Sequence, residues 1–227
     1  MKVLKGVFLT LAVLIGALLL VGFLIPSKYR VERSASIAAK PAQIHRLAGD
    51  LEAWDAWTTW KISDPSMVVT LGERTTGVGA RQTWTGKDGR GEIQFTKSSP
   101  SEGVTYDLTL DGKYRSVGAI RYQPAGDSTK VVWTMEGDAG MDIMARYFGL
   151  MMDSLVGKDF AAGLARLGPL AEQEVAKDVE AAKRAAMSGD APDLARLLDP
   201  ASLTETAPEQ FDVKFTTTKG DFIVQVT

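Results

Sequence analysis

Residues 129–168 read TKVVWTMEGDAGMDIMARYFGLMMDSLVGKDFAAGLARLG, and this stretch decides the fold. Residues 130–136 show the period of two that is typical of a β-strand. After Gly137 and Gly140 the period becomes helical. The apolar residues that then recur at spacings of three or four are Met144, Phe148, Met152, Val156, Phe160, Leu164 and Leu167. We expect one long amphipathic helix that Gly168-Pro169 stops or kinks.

The sequence before this stretch predicts an antiparallel meander. Residues 30–37 alternate as a half-buried strand does. Further strand-like runs cover residues 67–71, 80–85, 91–97, 104–110 and 115–122. Short turns separate the later runs, and Asp111-Gly112 is a strong hairpin signal because both central residues of that turn type need positive φ. Connections this short can join only antiparallel neighbours.

Two short helical stretches lie between the first strand and the meander. Pro41 opens the first helix, and the second carries Leu51, Trp54, Trp57 and Trp60. A curved antiparallel sheet and one long helix bury their apolar faces when the sheet wraps around the helix, with the short helices closing one end. The predicted class is therefore α+β, with an antiparallel sheet around a long C-terminal helix.

The N-terminal segment has a different composition. Residues 6–25 contain no charge, and sixteen of these twenty residues are Ala, Val, Ile, Leu or Phe. As a helix this run would reach about 30 Å, the thickness of a bilayer's hydrocarbon core. A cleaved signal peptide is the alternative, but its apolar region is usually shorter and ends in a small-x-small site. We expect an uncleaved, single-pass anchor over residues 1–28 in the inner (cytoplasmic) membrane, with the soluble part outside the cytoplasm.

The composition excludes several kinds of protein and site. The balance of 26 Lys+Arg against 28 Asp+Glu argues against a nucleic-acid binder. The absence of cysteine excludes disulfides and thiolate metal sites, and His45, the single histidine, leaves no partner for a two-histidine zinc site. We expect neither a metal nor a cofactor.

The order of these elements resembles the START-like, helix-grip superfamily, and specifically the bacterial SRPBCC group labelled polyketide cyclase/dehydrase and lipid transport. The motifs that carry the resemblance are residues 31–37 followed by Pro41, DLEAWDAW at 50–57, GVGA at 77–80, WTG at 84–86, VVWTMEG at 131–137, and residues 152–164. The resemblance covers residues 29–172. It implies a deep apolar cavity between sheet and helix, and it transfers no catalytic residue.

Aromatic residues and methionines are the candidate ligand contacts in such a cavity. They are Trp54, Trp57 and Trp60 near the short helices, Trp84 and Trp133 on strands, and Met144, Phe148, Met151, Met152 and Phe160 on the long helix. A methionine-rich lining suits a loosely specific pocket. Each of these residues is also a candidate for simple core packing.

The candidates for acid–base or anion chemistry are weaker. His45 is out of phase with Ile44, which predicts a surface position, and Glu52, Asp55 and Glu136 are expected to be solvated carboxylates. Arg81 and Arg115 are expected to pair with carboxylates across strands rather than to hold an anionic head group. Whether the protein is an enzyme stays open, and we lean towards a protein without catalysis.

The tail contains two further segments. Residues 172–187 are rich in Ala, Glu and Lys and should form a separate helix, followed by a linker up to residue 210. Residues 211–227 alternate as two strands around Lys219-Gly220 and resemble the opening hairpin of a cyclophilin-type peptidyl-prolyl isomerase. This short match suggests that a longer chain continues into an isomerase domain.

Three functions follow as hypotheses. The first is membrane-anchored binding of a hydrophobic small molecule or lipid. The second is an accessory module for an isomerase domain, with residues 172–187 as a surface for a protein partner. The third is a cyclase or dehydratase that uses the same cavity.

Overall fold

The computed structural model describes residues 2–87, 89–188, 211–217 and 220–226. The helices are α1 (Lys2–Leu24), α2 (Pro41–Ala48), α3 (Trp54–Trp57), α4 (Trp60–Ser63) and α5 (Ile143–Ser188), with one 3₁₀ turn at Leu51–Ala53. The strands are β1 (Lys28–Ile37), β2 (Val68–Leu71), β3 (Arg81–Gly86), β4 (Gly89–Ser99), β5 (Gly103–Leu110), β6 (Tyr114–Ala125), β7 (Ser128–Asp138), β8 (Phe211–Thr217) and β9 (Gly220–Val226).

Strands β1 to β7 form one antiparallel sheet in the order β1-β7-β6-β5-β4-β3-β2. Strands β2 to β7 follow one another as a meander, and β1 completes the sheet beside β7. The turn between β5 and β6 has φ of 50° at Asp111 and 70° at Gly112, as its sequence predicts. The meander is confirmed.

The core lies between the inner face of this sheet and α5. Val131, Trp133 and Met135 are alternate, buried residues of β7, and Phe160 and Leu164 are buried on α5. The short helices contribute further buried residues, which are Ile44, Leu51, Trp54 and Trp57. The predicted α+β helix-grip architecture is confirmed.

Helix α5 continues through Gly168-Pro169, so the prediction of two separate helices was wrong. Proline lacks the N–H that would bond to the preceding turn, yet packing beyond it holds the helix together. Ala171 is fully buried, and Arg46 of α2 donates to Asp178 at 2.7 Å. These contacts join residues 172–178 to the domain, because tertiary packing overrides the local helix-breaking signal.

Helix α1 is long and apolar enough to cross a membrane, and its side chains are almost all exposed. Its last turns lie against the first turns of α5. The Tyr147 hydroxyl donates to the Leu18 carbonyl at 2.7 Å, and the Arg146 guanidinium donates to the carbonyls of Phe23 and Ile25 at 2.8 and 3.1 Å. The two helices therefore meet at the end of α1 that leads into β1.

The chain divides into a unit of Met1–Asp178 and a unit of Val179–Thr227. The second unit contains the end of α5 and an antiparallel pair, β8 and β9, in which Phe211 lies opposite Val226. The two predicted strands are therefore present. Lys219 in the predicted turn and the linker up to residue 210 lie outside the described residues, and the resemblance to an isomerase stays a prediction.

His45 is half-buried and hydrogen-bonded, which corrects its expected surface position. Its Nδ1 lies 3.2 Å from the Tyr122 hydroxyl, and its Nε2 lies 3.2 Å from the Ser98 hydroxyl. The ring thus fills the space between α2 and the strands β4 and β6. Burial lowers the pKa of His45 below its usual value.

We predict that stability falls as the pH drops through the ordinary titration range of histidine, about 6.5. The unfolded chain binds a proton there that the folded protein, with its lower histidine pKa, does not, so protonation favours unfolding. Urea unfolding between about pH 5.5 and 7.5 measures this slope, because unperturbed carboxyl groups titrate lower. The His45→Gln variant should lose the slope. An equal slope in both proteins would contradict this assignment.

Candidate functional site

A cluster of aromatic rings occupies the centre of the space between sheet and helix. Trp54 lies 5.3 Å from Trp57 and 5.5 Å from Tyr106, measured between ring centroids. Phe160 of α5 stacks on Trp133 of β7 with centroids 3.9 Å apart and an interplanar angle of 6°. Five of the predicted ligand contacts join this cluster directly: Trp54, Trp57, Trp60, Trp133 and Phe160.

Each buried indole N–H of this cluster has an acceptor. Trp54 donates to the Ala48 carbonyl at 3.0 Å, and Trp133 donates to the Tyr106 hydroxyl at 2.8 Å. Burial of Tyr106 raises the pKa of its phenol, which keeps the hydroxyl protonated. We call this cluster the fixed wall, since turning Trp54 or Trp133 would leave a buried N–H unpaired.

Beside this wall lies a set of half-buried apolar residues that pack on it, which we call the rim. The rim consists of Tyr29, Trp60, Trp84, Leu108, Met152 and Val156. Trp60 stacks on Trp84 with centroids 6.1 Å apart. The rim combines residues of strands β1, β3 and β5 with one residue of α4 and two of α5, and it is partly open to solvent.

Three glycines let aromatic rings lie flat on the inner face of the sheet. Gly91, Gly118 and Gly137 are paired across strands with Trp84, Tyr106 and Tyr29 respectively. A Cβ added at any of the three glycines would collide with the ring of its partner. Because each ring lies over a glycine instead of beside a side chain, no side chain projects from the inner face beyond the ring at these three places.

Polar groups at this face are few and come from neighbouring elements. The Tyr29 hydroxyl lies 2.8 Å from the Ser116 hydroxyl. Arg33 of β1 donates to both carboxylate oxygens of Asp153 on α5, at 2.7 and 3.1 Å. Hydrogen bonding from Arg33 lowers the pKa of Asp153, so the pair stays ionised near neutral pH. These groups can orient a ligand, and an arginine that never loses its proton cannot act as a base.

Met144, Phe148 and Met151 do not lie with the other predicted contacts. Their exposed fractions are 67%, 59% and 54%. This corrects the interpretation of one stripe from Met144 to Leu167. A step of four residues advances about 40° beyond a full turn, so four such steps from Met144 to Phe160 rotate the side chain by about 160°. Met152 is the predicted methionine that packs against the core.

The weaker candidates are placed as follows. Glu52, Asp55 and Glu136 are exposed, and Arg81 donates to Glu92 of the neighbouring strand at 2.6 Å. Arg115 lines a groove of about 830 Å³ that also contains Arg30, Asp107 and Glu136. These four side chains alternate with buried ones along their strands, so the groove lies on the outer face, and none of the predicted ligand contacts lines it.

Several residues of this site were missed in the sequence. Tyr29 lies two residues from buried Val31, and Tyr106 and Leu108 lie two and four residues from buried Val104. Alternation along each strand therefore turns all three inwards. That alternation was visible. The pairing of Tyr29 with Gly137 was not, because it depends on the long-range register between β1 and β7.

The Tyr106→Phe variant tests the fixed wall. Removing the hydroxyl leaves the buried Trp133 N–H without an acceptor, which should cost about 1–3 kcal/mol of unfolding free energy. The control is Tyr114→Phe, whose hydroxyl is exposed and accepts from Lys113 at 3.3 Å. Urea unfolding followed by tryptophan fluorescence measures both. Equal stability of the two variants would show that the Trp133 bond contributes nothing net.

Comparison with known proteins agrees with this geometry. Residues 28–172 match the family described as polyketide cyclase / dehydrase and lipid transport. A hypothetical protein from Helicobacter pylori has a TM-score of 0.50 at 10% identity, covering 63% of this chain and 87% of its own. A protein from Thermobifida fusca has a TM-score of 0.48 at 23% identity, covering 64% of this chain and 92% of its own.

A norcoclaurine synthase point mutant from Thalictrum, in complex with a transition state analogue, has a TM-score of 0.49 at 14% identity and covers 64% of this chain and 95% of its own. Among curated proteins, none matches the chain significantly. At 10% identity and a TM-score of 0.50, the Helicobacter pylori protein shares the fold alone. The match over residues 28–172 gives the family. The chain belongs to the polyketide cyclase / dehydrase and lipid transport family.

Proposed function

We propose that this protein holds a hydrophobic small molecule or lipid between α5 and the inner face of the sheet while α1 anchors it in a membrane. The observation that carries the proposal is the rim. There, half-buried apolar side chains from the sheet and from α5 lie next to a fixed aromatic wall. Binding sites for apolar molecules combine such a lining with a few polar groups that set orientation.

The rim offers a surface that a flat or elongated apolar molecule would fit. Tyr29 and Trp84 lie over glycines of neighbouring strands. The Tyr29 ring also lies next to Gly149 of α5, and the Trp84 ring stacks on Trp60 of α4. Met152, on the helix side, has a flexible side chain that adapts to different shapes. The Arg33–Asp153 pair at the margin supplies charge that could face a polar head group.

The ligand would enter where α5 is held least firmly. Phe160, Leu164 and Leu167 are buried in the core, whereas Met152 and Val156 are only partly covered. A helix segment with fewer buried contacts opens at a lower free-energy cost. The stretch of α5 before Phe160 is therefore the proposed entry.

The anchor is α1, an apolar helix whose side chains are exposed along nearly its whole length. Such a surface is stable in a bilayer and not in water. We assign the protein to the inner membrane as a single-pass protein with its domain outside the cytoplasm.

Native mass spectrometry of the full chain, purified in mild detergent and followed by solvent extraction, tests ligand binding. The wild-type protein should carry a hydrophobic molecule. Met152→Trp should reduce its retention several-fold, because the larger side chain fills the rim. Met144→Trp is the control, since it makes the same change on an exposed face of the same helix. Retention that is absent in the wild type, or equal in both variants, would refute the proposal.

Charge substitutions test the anchor. Val13→Arg combined with Leu14→Arg places two charges at the centre of α1, each costing about 2.5–3.5 kcal/mol there. We expect the double variant to move from the carbonate-resistant membrane pellet to the soluble fraction. Val78→Arg, at an exposed position outside α1, should stay in the pellet. Wild-type protein in the soluble fraction would overturn the anchor.

A further inference from the structure

Five apolar residues form a continuous exposed stripe along the first part of α5. They are Met141, Met144, Phe148, Met151 and Leu155, and each is more than half exposed. Met141 lies two residues before the first residue of the helix. The other four are spaced by four, three and four, which keeps them on one side of the helix. This side is about 120° around the helix axis from the face that carries Val156 and Phe160.

The side of α5 that carries the stripe is apolar only up to Leu155. Beyond Leu155 the same side continues with Lys158, Ala162 and Arg166. An apolar surface that ends at a charged residue is bounded along its length. The stripe is therefore a patch of limited extent at the start of α5, and the rest of this side is an ordinary solvated helix surface.

The patch begins where α5 contacts α1. The Tyr147 hydroxyl reaches the Leu18 carbonyl, which lies about 9 Å before the end of α1 along its axis. Ile143 lies against Gly22, the only buried residue among residues 4–24 of α1. If α1 spans the bilayer, these contacts place the first turns of α5 at the depth of the membrane interface.

The carboxylates beside the stripe are neutralised by cations. Asp142 pairs with Lys113 at 3.3 Å and Asp153 pairs with Arg33 at 2.7 Å. Unpaired carboxylates at this position would be repelled by anionic lipid head groups. Their pairing removes that repulsion next to the stripe.

We infer that the stripe from Met141 to Leu155 lies in the interface of the bilayer that α1 crosses, with its side chains among the lipid head groups and upper acyl chains. This inference rests on the proposed membrane anchor. Amphipathic helices with large apolar residues bury that face about 5–10 Å into such an interface. The stripe would hold the entry side of the rim at the membrane, where an apolar ligand is concentrated.

Because the sequence contains no cysteine, a single introduced cysteine can be labelled at a chosen position. Single-cysteine variants Met144→Cys, Phe148→Cys and Met151→Cys of the full chain are labelled with the fluorophore NBD. The proteins are reconstituted in phosphatidylcholine vesicles with and without lipids that carry a doxyl quencher near the head group. We expect doxyl lipid to quench all three labels about two-fold or more, as for a face buried in the interface.

Two further labels make the outcomes distinguishable. Ala162→Cys is the matched control, exposed on the same side of α5 beyond Lys158, and should be quenched by aqueous iodide instead. Leu14→Cys reports the anchor and should be quenched by lipids with a deeper doxyl group. Quenching of Leu14→Cys together with iodide quenching of the stripe labels would overturn the inference and leave the anchor intact.

Two other results would also overturn the inference. Iodide quenching of Leu14→Cys would remove the anchor and the inference together. Stripe labels protected from both quenchers, with emission that depends on protein density in the vesicle, would show that a second copy of the chain covers the stripe. Ligand retention, measured separately on Met152→Trp, does not depend on any of these results.

Discussion

The stacking of Phe160 on Trp133 is the contact on which the rest of the structure depends. It fixes the rotation and height of α5 over β7, with ring centroids 3.9 Å apart. Gly163 lies one turn further along, where a Cβ would come within 3.0 Å of the Trp133 ring. Trp133 is itself held by its bond to Tyr106. A rigid ring on the sheet and a small residue on the helix together allow α5 to approach closely.

The Phe160 contact divides α5 into two parts that are held to the domain by different kinds of contact. After Phe160, buried Leu164, Leu167 and Ala171 tie the helix to the core. Before Phe160, Met152 and Val156 are only partly buried. The other contacts of this part are the Arg33–Asp153 pair and the bonds of its first turns to α1. With fewer fully buried side chains, the first part opens from the sheet at a lower cost than the second.

The sheet could be predicted from the sequence because its information is local. Alternation within each strand and the Asp111-Gly112 turn define a meander without knowledge of distant contacts. The fold class followed, since a sheet of this kind and a long amphipathic helix have few ways to bury their apolar faces. That class also places Trp54 and Trp57 near the short helices and Trp133 on a strand, and the structure brings the three together.

The rest of the site depends on quantities that local patterns do not contain. Steps of four residues look like a stripe but rotate around the helix, which is why Met144 and Phe160 lie on opposite sides. Pro169 predicts a helix stop or kink, yet α5 continues past it, and Ala171 and the Arg46–Asp178 pair hold the continuation on the domain. His45 is polar and out of phase with Ile44, but Tyr122 and Ser98 on distant strands supply its partners.

Helix α1, the proposed anchor, and the proposed site are both in contact with the first half of α5. The last carbonyls of a helix have no partner within it, and in a membrane no water replaces that partner. Arg146 satisfies the carbonyls of Phe23 and Ile25, and Tyr147 contacts α1 one turn deeper. Only Pro26-Ser27 separates Ile25 from β1. The orientation of the domain relative to α1 is thus set by direct contact with α5, the same helix that forms one side of the rim.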